Sequence, residues 1–324
     1  MSFITALFGG GVSFTAAQDI PSLKGKVVLV TGGNSGLGKQ SILDLAKYGK
    51  PAQIWLAARS PEKAKEAVDE IEKEAPGAAS FIRPLDLDLT SFESIKKAAA
   101  RFTSEADRLD ILMLNAGIMA TSAGLTKEGY EIQFGTNHVG HALLTKLLMP
   151  LLLKTAEEKS PGDEDMKNDV RVVVLSSAGH QIAPTGGIQF DTLKGTQEKM
   201  RTWTRYGQSK LANILFAKEM AKRYPQITSV SLHPGAVNTN LTKPMADRFL
   251  FARLLTPLVS RVTATVETGA KNQLWAATSK QGIANGEYYT PVGVSGKGSA
   301  YSNDEKLAAQ LWEWTEKELE GQSI

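Results

Sequence analysis

The sequence has no cysteine, which excludes disulfide bonds and cysteine-ligated metal sites. It has only four histidines, and His138 and His141 are the one close pair among them. Their spacing is compatible with two ligands of one metal ion, but no third ligand cluster accompanies them. We therefore expect a protein without a metal site.

An excess of charge of one sign is also lacking. The chain has 37 basic and 34 acidic residues, and its formal net charge is +3. The two signs are mixed along the sequence, with no basic stripe of the kind that binds phosphate backbones. The balance predicts no nucleic-acid partner and favours a small-molecule ligand.

Long hydrophobic runs are missing as well. The N-terminal MSFITALFGGGVSFTAA is apolar, but it has no basic region and three glycines interrupt it, so it does not resemble a signal peptide. It is shorter than the roughly 20 apolar residues of a membrane-spanning helix, and no later run is long enough. We expect residues 1–24 to form an arm packed on the surface, with weak membrane contact as the alternative, and a cytoplasmic protein without a transmembrane segment.

What the chain does have is a regular alternation of β-rich and helical patterns. Its 324 residues, 42% of them hydrophobic, suffice for one large core, so we expect a single domain over 25–324. Alternating strands and helices predict βαβ units and a parallel sheet covered on both faces. The predicted fold is α/β, a Rossmann-type doubly wound parallel sheet in three layers (α/β/α). The predicted strands are KVVLVT, QIWLAA, FIRPLDL, DILMLNAG, RVVVLSS and TSVSLHPG, and the predicted helices are 37–48, 61–74, 92–105, 130 to about 155, and a helix after Tyr206.

Two segments interrupt this alternation. The charged stretch 157–170 contains Pro-Gly and is predicted to be a solvated loop. The insert 178–205 contains glycines and aromatic residues. We expect it to wall a cleft at the carboxyl edge of the sheet, where open α/β sheets bind ligands.

The stretch TGGNSGLG, residues 31–38, follows the first strand and opens a helix. Backbone N–H groups at a helix N-terminus favour an anion, and a pyrophosphate is the natural occupant. Gly32 and its neighbour permit a tight turn, Gly36 allows close approach of the ligand, and Gly38 allows helix and strand to pack closely. An ordinary strand-to-helix turn is the alternative.

The end of the second strand indicates which dinucleotide would bind. An NAD-binding enzyme places Asp or Glu there, on the adenosine ribose, whereas this chain has Ala57, Ala58 and Arg59. A guanidinium can pair with a 2′-phosphate in a bidentate way, so NADP(H) is the predicted cofactor. Lys39 could supply a second cation, or be a solvated lysine on the helix.

The stretch YGQSK places Tyr206 and Lys210 on one face of a helix. A neighbouring cation lowers the pKa of a phenol by favouring the phenolate, and such a tyrosine can exchange a proton with an alcohol or carbonyl oxygen. The alternative is a surface pair on an amphipathic helix.

With this pair the chain resembles the short-chain dehydrogenase/reductase family. The matching motifs, in family order, are TGGNSGLG, the DL at Asp88 and Leu89, LNAG, NHVGH, VLSS, YGQSK and HPGAVNT. Within the family, NHVGHALLTKLLMP and YGQSKLANILFAKEMAKR are similar to the retinol-dehydrogenase-like branch. That branch is often membrane-anchored, whereas this chain has no clear anchor.

The resemblance implies four catalytic residues. Tyr206 would be the general acid/base, and Lys210 would bind the nicotinamide ribose and lower the pKa of the tyrosine. Ser177, rather than its neighbour Ser176, would hydrogen-bond the substrate oxygen. Asn137 would position a water in a relay to Lys210, or would instead pin a bend in the long helix.

The resemblance also implies the cofactor contacts. The phosphates would lie near Gly32, Asn34, Ser35, Gly36, Leu37 and Gly38; the adenine near Asp88 and Leu89; the floor would be Asn115, Ala116 and Gly117; and the carboxamide would meet Pro234, Val237 and Thr239. Arg59, Tyr206 and Lys210 complete the set.

The substrate lid is expected at 240–262, which is rich in Leu, Phe and Met. An apolar lid favours a hydrophobic substrate, although these side chains could equally be core or dimer interface.

The predicted function is an NADP(H)-dependent oxidoreductase acting on carbonyl or alcohol groups. Reduction of an activated carbon–carbon double bond and a non-catalytic nucleotide sensor are the alternatives. Family members often form homodimers through the long helices after Gly129 and Tyr206, and a monomer is also plausible.

Overall fold

The computed structural model describes residues 11–160, 163–237 and 264–324. Residues 1–10 of the predicted arm, Thr239 and the whole predicted lid, 240–262, lie outside the described residues.

A seven-stranded parallel sheet forms the centre of the protein, in the order β3-β2-β1-β4-β7-β8-β9. The order reverses between β1 and β4, so the carboxyl ends of these two strands form the crevice in which α/β sheets bind ligands. The strands are β1 Val27–Thr31, β2 Gln53–Ala58, β3 Ile82–Asp86, β4 Ile111–Leu114, β7 Arg171–Leu175, β8 Thr228–Leu232 and β9 Tyr288–Tyr289.

Helices cover both faces of the sheet. The helices are α1 Ala16–Asp19, α2 Gly36–Asp44, α3 Pro61–Glu74, α4 Phe92–Glu105, α5 Ile132–Glu157, α6 Thr202–Arg223, α7 Val266–Thr278 and α8 Glu305–Glu318. The buried side chains of α2, α3 and α7 pack on one face, and those of α4, α5, α6 and α8 on the other. Ser60 and Ser91 cap α3 and α4, each accepting a backbone hydrogen bond in the first turn.

Strand periodicity divides the core between the two faces. Val27 and Leu29 of β1 face the α5–α6 side, whereas Val28 and Val30 face the α2–α7 side. All four are at most 3% exposed, as expected for a strand covered on both sides. The predicted α/β Rossmann-type fold is confirmed.

Helix α5 is 26 residues long and by length and composition could span a membrane. However, 72% of its most apolar stretch is buried by the rest of the chain, as in the core helix of a globular protein. The structure therefore places α5 in the core.

Two segments differ from their predictions. The stretch predicted as a solvated loop contains a short antiparallel pair, β5 Lys159–Ser160 with β6 Asp163–Lys167. Helix α6 begins before Tyr206, so this tyrosine lies inside the helix rather than at its start. The described part of the predicted arm packs against the domain through Phe14, Ile20 and Leu23.

Candidate active site

The TGGNSGLG stretch, residues 31–38 and called the glycine loop below, lies at the crevice between β1 and β4. Gly32 and Gly36 have φ values of +67° and +52°, which L side chains rarely adopt. A Cβ on Gly38 would lie 2.3 Å from the carbonyl oxygen of Gly32, so the first turn of α2 sits directly on the loop. The local fold thus requires glycine at these positions, and it brings the start of α2 against the end of β1.

The N-terminus of α2 is suited to a phosphate. The N-cap residue Ser35 makes no side-chain capping hydrogen bond, so its side chain leaves the N–H groups of the first turn, including that of Leu37, available to an anion. Asn34 precedes it in the turn. These features fit the diphosphate of a dinucleotide.

Replacing Gly38 by alanine tests this packing. The added methyl group would lie 2.3 Å from the oxygen of Gly32 and 2.6 Å from Nδ2 of Asn115. We expect Gly38→Ala to lower the free energy of unfolding by about 1–3 kcal/mol and to weaken dinucleotide binding. Thermal denaturation and a fluorescence titration with NADPH measure the two effects. Gly195→Ala, whose Cβ would have its nearest neighbour at 3.5 Å, is the control, and equal behaviour of the two variants would contradict the argument.

The two candidate cations near the loop differ in their environment. Lys39 forms an ion pair with Glu70 of α3. Arg59 follows β2, beside the glycine loop, and its side chain is exposed. Arg59 is therefore the better placed of the two for a ligand phosphate.

The floor of the crevice is held by hydrogen bonds to the end of β1. Asn115 donates from Nδ2 to the carbonyl oxygen of Thr31 (2.8 Å), and Ala116 donates its N–H to the Thr31 hydroxyl (3.0 Å). That hydroxyl also contacts Nε2 of His141 at 2.9 Å. The side chain of Asn115 thus fixes the backbone of the loop. Thr31 and His141 are supporting residues that sequence reasoning missed, although both lie within the recognised motifs.

The histidine pair, His138 and His141, is buried and hydrogen-bonded within the core. His141 is bonded through Nδ1 to the carbonyl oxygen of Asn137 (3.0 Å), and Nε2 of His138 contacts the hydroxyl of Thr315 (3.0 Å). Burial lowers the pKa of His138 to about 3 and that of His141 to about 4. Both rings are therefore neutral hydrogen-bonding groups in the core. Among the described residues, no cluster of three or more metal-binding side chains occurs.

Asp88 and Leu89 follow β3 at the same edge of the sheet. Oδ1 of Asp88 accepts hydrogen bonds from the N–H (2.9 Å) and hydroxyl (2.7 Å) of Thr90. Leu89 is buried against α5, where a Cβ on Gly140 would lie 2.4 Å from the Leu89 carbonyl oxygen. This close contact fixes the wall on which an adenine could lie.

Asn137 lies in a π-helical turn, Gly135–Val139, within α5. Its side chain accepts a hydrogen bond from the N–H of Ile118 (2.8 Å) and donates to the carbonyl oxygen of Ile118 (3.0 Å) and the hydroxyl of Ser209 (2.9 Å). These contacts join the π-helical turn to Ile118, next to the floor, and to Ser209 of α6. They agree with the alternative in which Asn137 pins a bend in the long helix. A relay through Asn137 remains a prediction.

The two serines after β7 face different surroundings. The hydroxyl of Ser176 donates to the carbonyl oxygen of Lys210 at 2.7 Å and is buried. Ser177 accepts a hydrogen bond from the N–H of Gly179 (3.0 Å), and a Cβ on Gly179 would lie 3.3 Å from the Ser177 hydroxyl oxygen and 2.9 Å from Cε1 of Tyr206. Of the two serines, Ser177 is thus the one beside the Tyr206 ring.

Tyr206 and Lys210 lie next to each other on α6, with Nζ of Lys210 5.9 Å from the centre of the Tyr206 ring. Nζ of Lys210 donates to the carbonyl oxygen of Leu175, at 2.9 Å. A Cβ on Gly117 would lie 3.3 Å from this Nζ and 3.1 Å from Oδ1 of Asn137. The fold therefore brings Asn137, Tyr206 and Lys210 to the Gly117 end of the floor. A side chain at position 117 would fill the space beside the Lys210 amine and the Asn137 amide.

The pKa of Tyr206 differs from the expectation. Burial raises it to about 12, against a smaller lowering by the Ser177 hydrogen bond. Burial also lowers the pKa of Lys210 to about 7. The expected depression of the tyrosine pKa by Lys210 is absent because removal of the phenol from water dominates its pKa. At neutral pH, Tyr206 is a protonated phenol.

The residues predicted to contact the nicotinamide carboxamide follow β8. Val237 makes a bridge with Ala264 and lies against Gly269 of α7, where a Cβ would be 2.3 Å from Cγ2 of Val237 and 2.9 Å from Leu37. Pro234 is half-buried. The structure thus brings Val237 and the glycine loop together through α7, an element that the sequence did not predict.

The insert 178–205 contributes Trp203 beside Tyr206, Ile182 beside Gly207 and His180 beside Ser177. Trp203 meets the Tyr206 ring edge-on at 6.1 Å, and it is 39% exposed. Ile182, at the end of the 3₁₀ turn Ala178–Ile182, is 46% exposed. His180 is buried, with Nδ1 bonded to the carbonyl oxygen of Ser177 (2.7 Å) and Nε2 accepting from the N–H of Ser299 (3.1 Å). The insert therefore places an exposed indole beside the Tyr206 ring and a fixed imidazole beside Ser177.

Comparison with known proteins agrees with this geometry. Residues 26–163 match a family model described as short chain dehydrogenase. A short-chain dehydrogenase/reductase of Armillaria gallica is 39% identical over 93% of this chain and 92% of the relative. Mouse retinol dehydrogenase 12 is 36% identical over 95% of this chain and 90% of its own length.

Solved structures show the same fold. An uncharacterized protein from Mycobacterium paratuberculosis is 29% identical, with a TM-score of 0.70, and the match covers 94% of this chain and 97% of that one. A Shigella flexneri short chain dehydrogenase solved with NADP is 21% identical (TM-score 0.61; 84% and 98% covered). A Brucella melitensis 3-ketoacyl-(acyl-carrier-protein) reductase solved with NADH is 20% identical (TM-score 0.60; 84% and 98% covered).

Proposed function

The chain belongs to the short-chain dehydrogenase/reductase family, in its retinol-dehydrogenase-like branch, and on this premise we propose that it is an NADP(H)-dependent carbonyl reductase of hydrophobic small molecules. The family and its solved relatives support a nicotinamide cofactor. NADP(H) preference, reduction as the working direction and the substrate type belong to the proposal.

The observation that carries the proposal is the state of Tyr206. A buried phenol with a pKa of about 12 keeps its proton at neutral pH, so it acts as a proton donor. A carbonyl oxygen gains negative charge as its carbon is reduced, and a positioned donor is most effective where charge develops. Ser177, which like the Tyr206 ring lies beside Gly179, supplies a second hydroxyl near this point. Protonated Tyr206 thus favours reduction of a carbonyl.

The cofactor would be held by the glycine loop and by Lys210. Gly32, Gly36 and Gly38 fit a diphosphate because side chains at these positions would be strained or would collide with the loop. A bound nicotinamide supplies the hydride. The amine of Lys210 is a hydrogen-bond donor beside Gly117 and Asn137, where a ribose hydroxyl would lie.

The substrate class follows from the surface around the phenol. Trp203 and Ile182 are two of the few large apolar side chains that are exposed in the described part of the chain. Exposed apolar groups at the mouth of a site favour an apolar ligand. The similarity to mouse retinol dehydrogenase 12 agrees with an apolar substrate.

Arg59 gives the test of cofactor choice. An arginine–phosphate hydrogen bond contributes about 1.5–3 kcal/mol. We expect Arg59→Ala to weaken NADPH binding about 10- to 100-fold and to leave NADH binding nearly unchanged, as measured by fluorescence titration. Arg83→Ala removes another exposed arginine, on the neighbouring strand β3, and serves as control. Wild-type protein that binds NADH as tightly as NADPH would contradict the assignment of Arg59.

The oligomeric state and the location also belong to the proposal. Helix α8 covers part of α5 and α6, since Trp312 stacks on Phe216 at 5.4 Å and Lys146 pairs with Glu316 at 3.0 Å. A homodimer through the exposed parts of α5 and α6 would have to accommodate α8, so we propose that a dimer uses another surface.

A cytoplasmic location stays a prediction, to be tested with a fluorescent fusion.

A further inference from the structure

A second phenol lies beside Tyr206. Tyr288 is the first residue of β9 and pairs with Ser231 of β8, so its side chain and that of Ser231 point to the same face of the sheet. Tyr288 and Tyr206 are each 5% exposed. The Tyr288 ring contacts that of His180, and His180 follows Gly179, where a Cβ would lie 2.9 Å from Cε1 of Tyr206, so the two phenols flank the same turn.

Tyr288 is held rigidly by its ring. Its ring meets that of His180 edge-to-face, with centroids 5.0 Å apart and an angle of 71°. His180 is itself fixed at both nitrogens, by the carbonyl oxygen of Ser177 and the N–H of Ser299. The hydroxyl of Tyr288 therefore has a defined position relative to the turn that carries Ser177.

The hydroxyl of Tyr288 has no hydrogen-bond partner among the residues that the structure describes. This distinguishes it from the hydroxyl of the neighbouring Tyr289, which accepts from the N–H of Ala284 at 2.7 Å. Buried polar groups in native proteins nearly always have a partner, and leaving one unpaired costs about 1–3 kcal/mol. An unpaired hydroxyl beside a reacting centre points to a ligand group.

A second unpaired group lies on the same part of the sheet. His233, directly after β8, is 9% exposed, and in the described part of the chain neither of its ring nitrogens has a partner. Its N–H donates to the carbonyl oxygen of Tyr289 at 2.8 Å, and His233 lies two residues after Ser231, so its side chain is on the face that carries Ser231 and Tyr288. The wall formed by β8 and β9 beside Tyr206 is thus polar, in contrast to the apolar mouth formed by Trp203 and Ile182.

We propose that Tyr288 is a specificity-determining residue whose hydroxyl hydrogen-bonds a second oxygen of the substrate, so that the preferred substrates are ketones or aldehydes with another oxygen near the reacting carbonyl. The His180 ring that Tyr288 contacts belongs to the turn that carries Ser177, so a substrate oxygen bonded to Ser177 lies near this second phenol. The inference rests on the proposed function, because it concerns the substrate of that same site. A site built to bond a substrate oxygen discriminates strongly against analogues that lack it.

The experiment compares matched substrates in wild type and Tyr288→Phe. The pairs are butanedione with butanone and phenylpropanedione with propiophenone, each at saturating NADPH. We expect the wild type to prefer the dione of each pair. Tyr288→Phe is expected to lower the ratio of the two kcat/KM values about 10-fold or more. The substitution removes only an unpaired oxygen, so the melting temperature should equal or exceed that of the wild type.

Tyr289→Phe is the matched control, since it removes the neighbouring hydroxyl that is bonded to Ala284. We expect it to lower the melting temperature and to keep the wild-type substrate ratio. An unchanged ratio in Tyr288→Phe, or a lower melting temperature with equal losses on both substrates, would overturn the proposal while leaving the reductase function intact. Wild-type protein that reduces no carbonyl compound with NADPH would overturn both.

Discussion

Tyr206→Phe is expected to lower kcat for carbonyl reduction by about 10²- to 10⁴-fold, the contribution of a positioned general acid. The substitution removes the proton donor but keeps the ring. The ring packs against Trp203 at 6.1 Å and against Gly179, so the shape of the site should persist. The loss should therefore appear in kcat, with NADPH binding within a few-fold of wild type.

Initial rates with NADPH and a fluorescence titration of the same preparations separate these two effects. Tyr224→Phe is a suitable control, because Tyr224 lies just after the end of α6 and packs on Trp312, away from the site. We expect it to keep wild-type rates. A Tyr206→Phe enzyme with wild-type kcat would remove the phenol from the mechanism.

Lys210→Met is expected to change stability and activity in opposite directions. Lys210 is 3% exposed, and burial lowers its pKa from 10.5 to about 7. Below pH 7 the folded protein carries a buried charge, and we expect its replacement by an apolar side chain of similar length to stabilise the fold by about 2 kcal/mol or more. The carbonyl oxygen of Leu175 keeps a donor, because Asn213 also bonds it at 3.0 Å.

The pH dependence of this effect has a defined sign. The lysine is more basic in the unfolded chain than in the folded protein, so the unfolded chain binds more protons between pH 7 and 10.5. The cost of burying Lys210 is thus fully present below pH 7 and disappears as the pH rises towards 10.5. The excess stability of Lys210→Met should be largest near pH 6 and should vanish near pH 10.

Thermal or urea denaturation at pH 6 and pH 10 measures the difference, and NADPH-dependent turnover of the same samples measures the loss of activity. Lys218→Met, on the same helix but partly exposed, is the control and should show neither effect. A Lys210→Met protein that is less stable than wild type at pH 6 would show that burial of this amine does not oppose folding.

The parallel sheet and most of its strands follow from local patterns. The runs around Val28 and Trp55 are continuously apolar because both faces of these strands are covered, and that pattern is visible without a structure. The turn that ends at Gly38 is marked by its glycines, whereas the helix that carries Lys210 begins four residues before Tyr206, a boundary that the motif alone did not give.

Other features depend on contacts between distant parts of the chain. The raised pKa of Tyr206 results from burial by several elements, and spacing alone suggested the opposite direction. The pinning of Asn137 requires Ile118 and Ser209 to meet, which only the folded chain shows. Tyr288 lies in a strand of two residues, too short to give a periodic pattern, so sequence reasoning missed its position beside Tyr206.

Transfer of deuterium from NADPH labelled at the nicotinamide C4 to an unsaturated ketone, benzylideneacetone, tests the central claim most directly. The proposed carbonyl reductase should give the allylic alcohol, with deuterium on the carbon that bears the new hydroxyl. The Tyr206→Phe enzyme should form this product at least about a hundredfold more slowly. A saturated ketone labelled at the β-carbon would instead show reduction of the double bond, and unlabelled substrate after prolonged incubation with wild-type enzyme would contradict a carbonyl reductase.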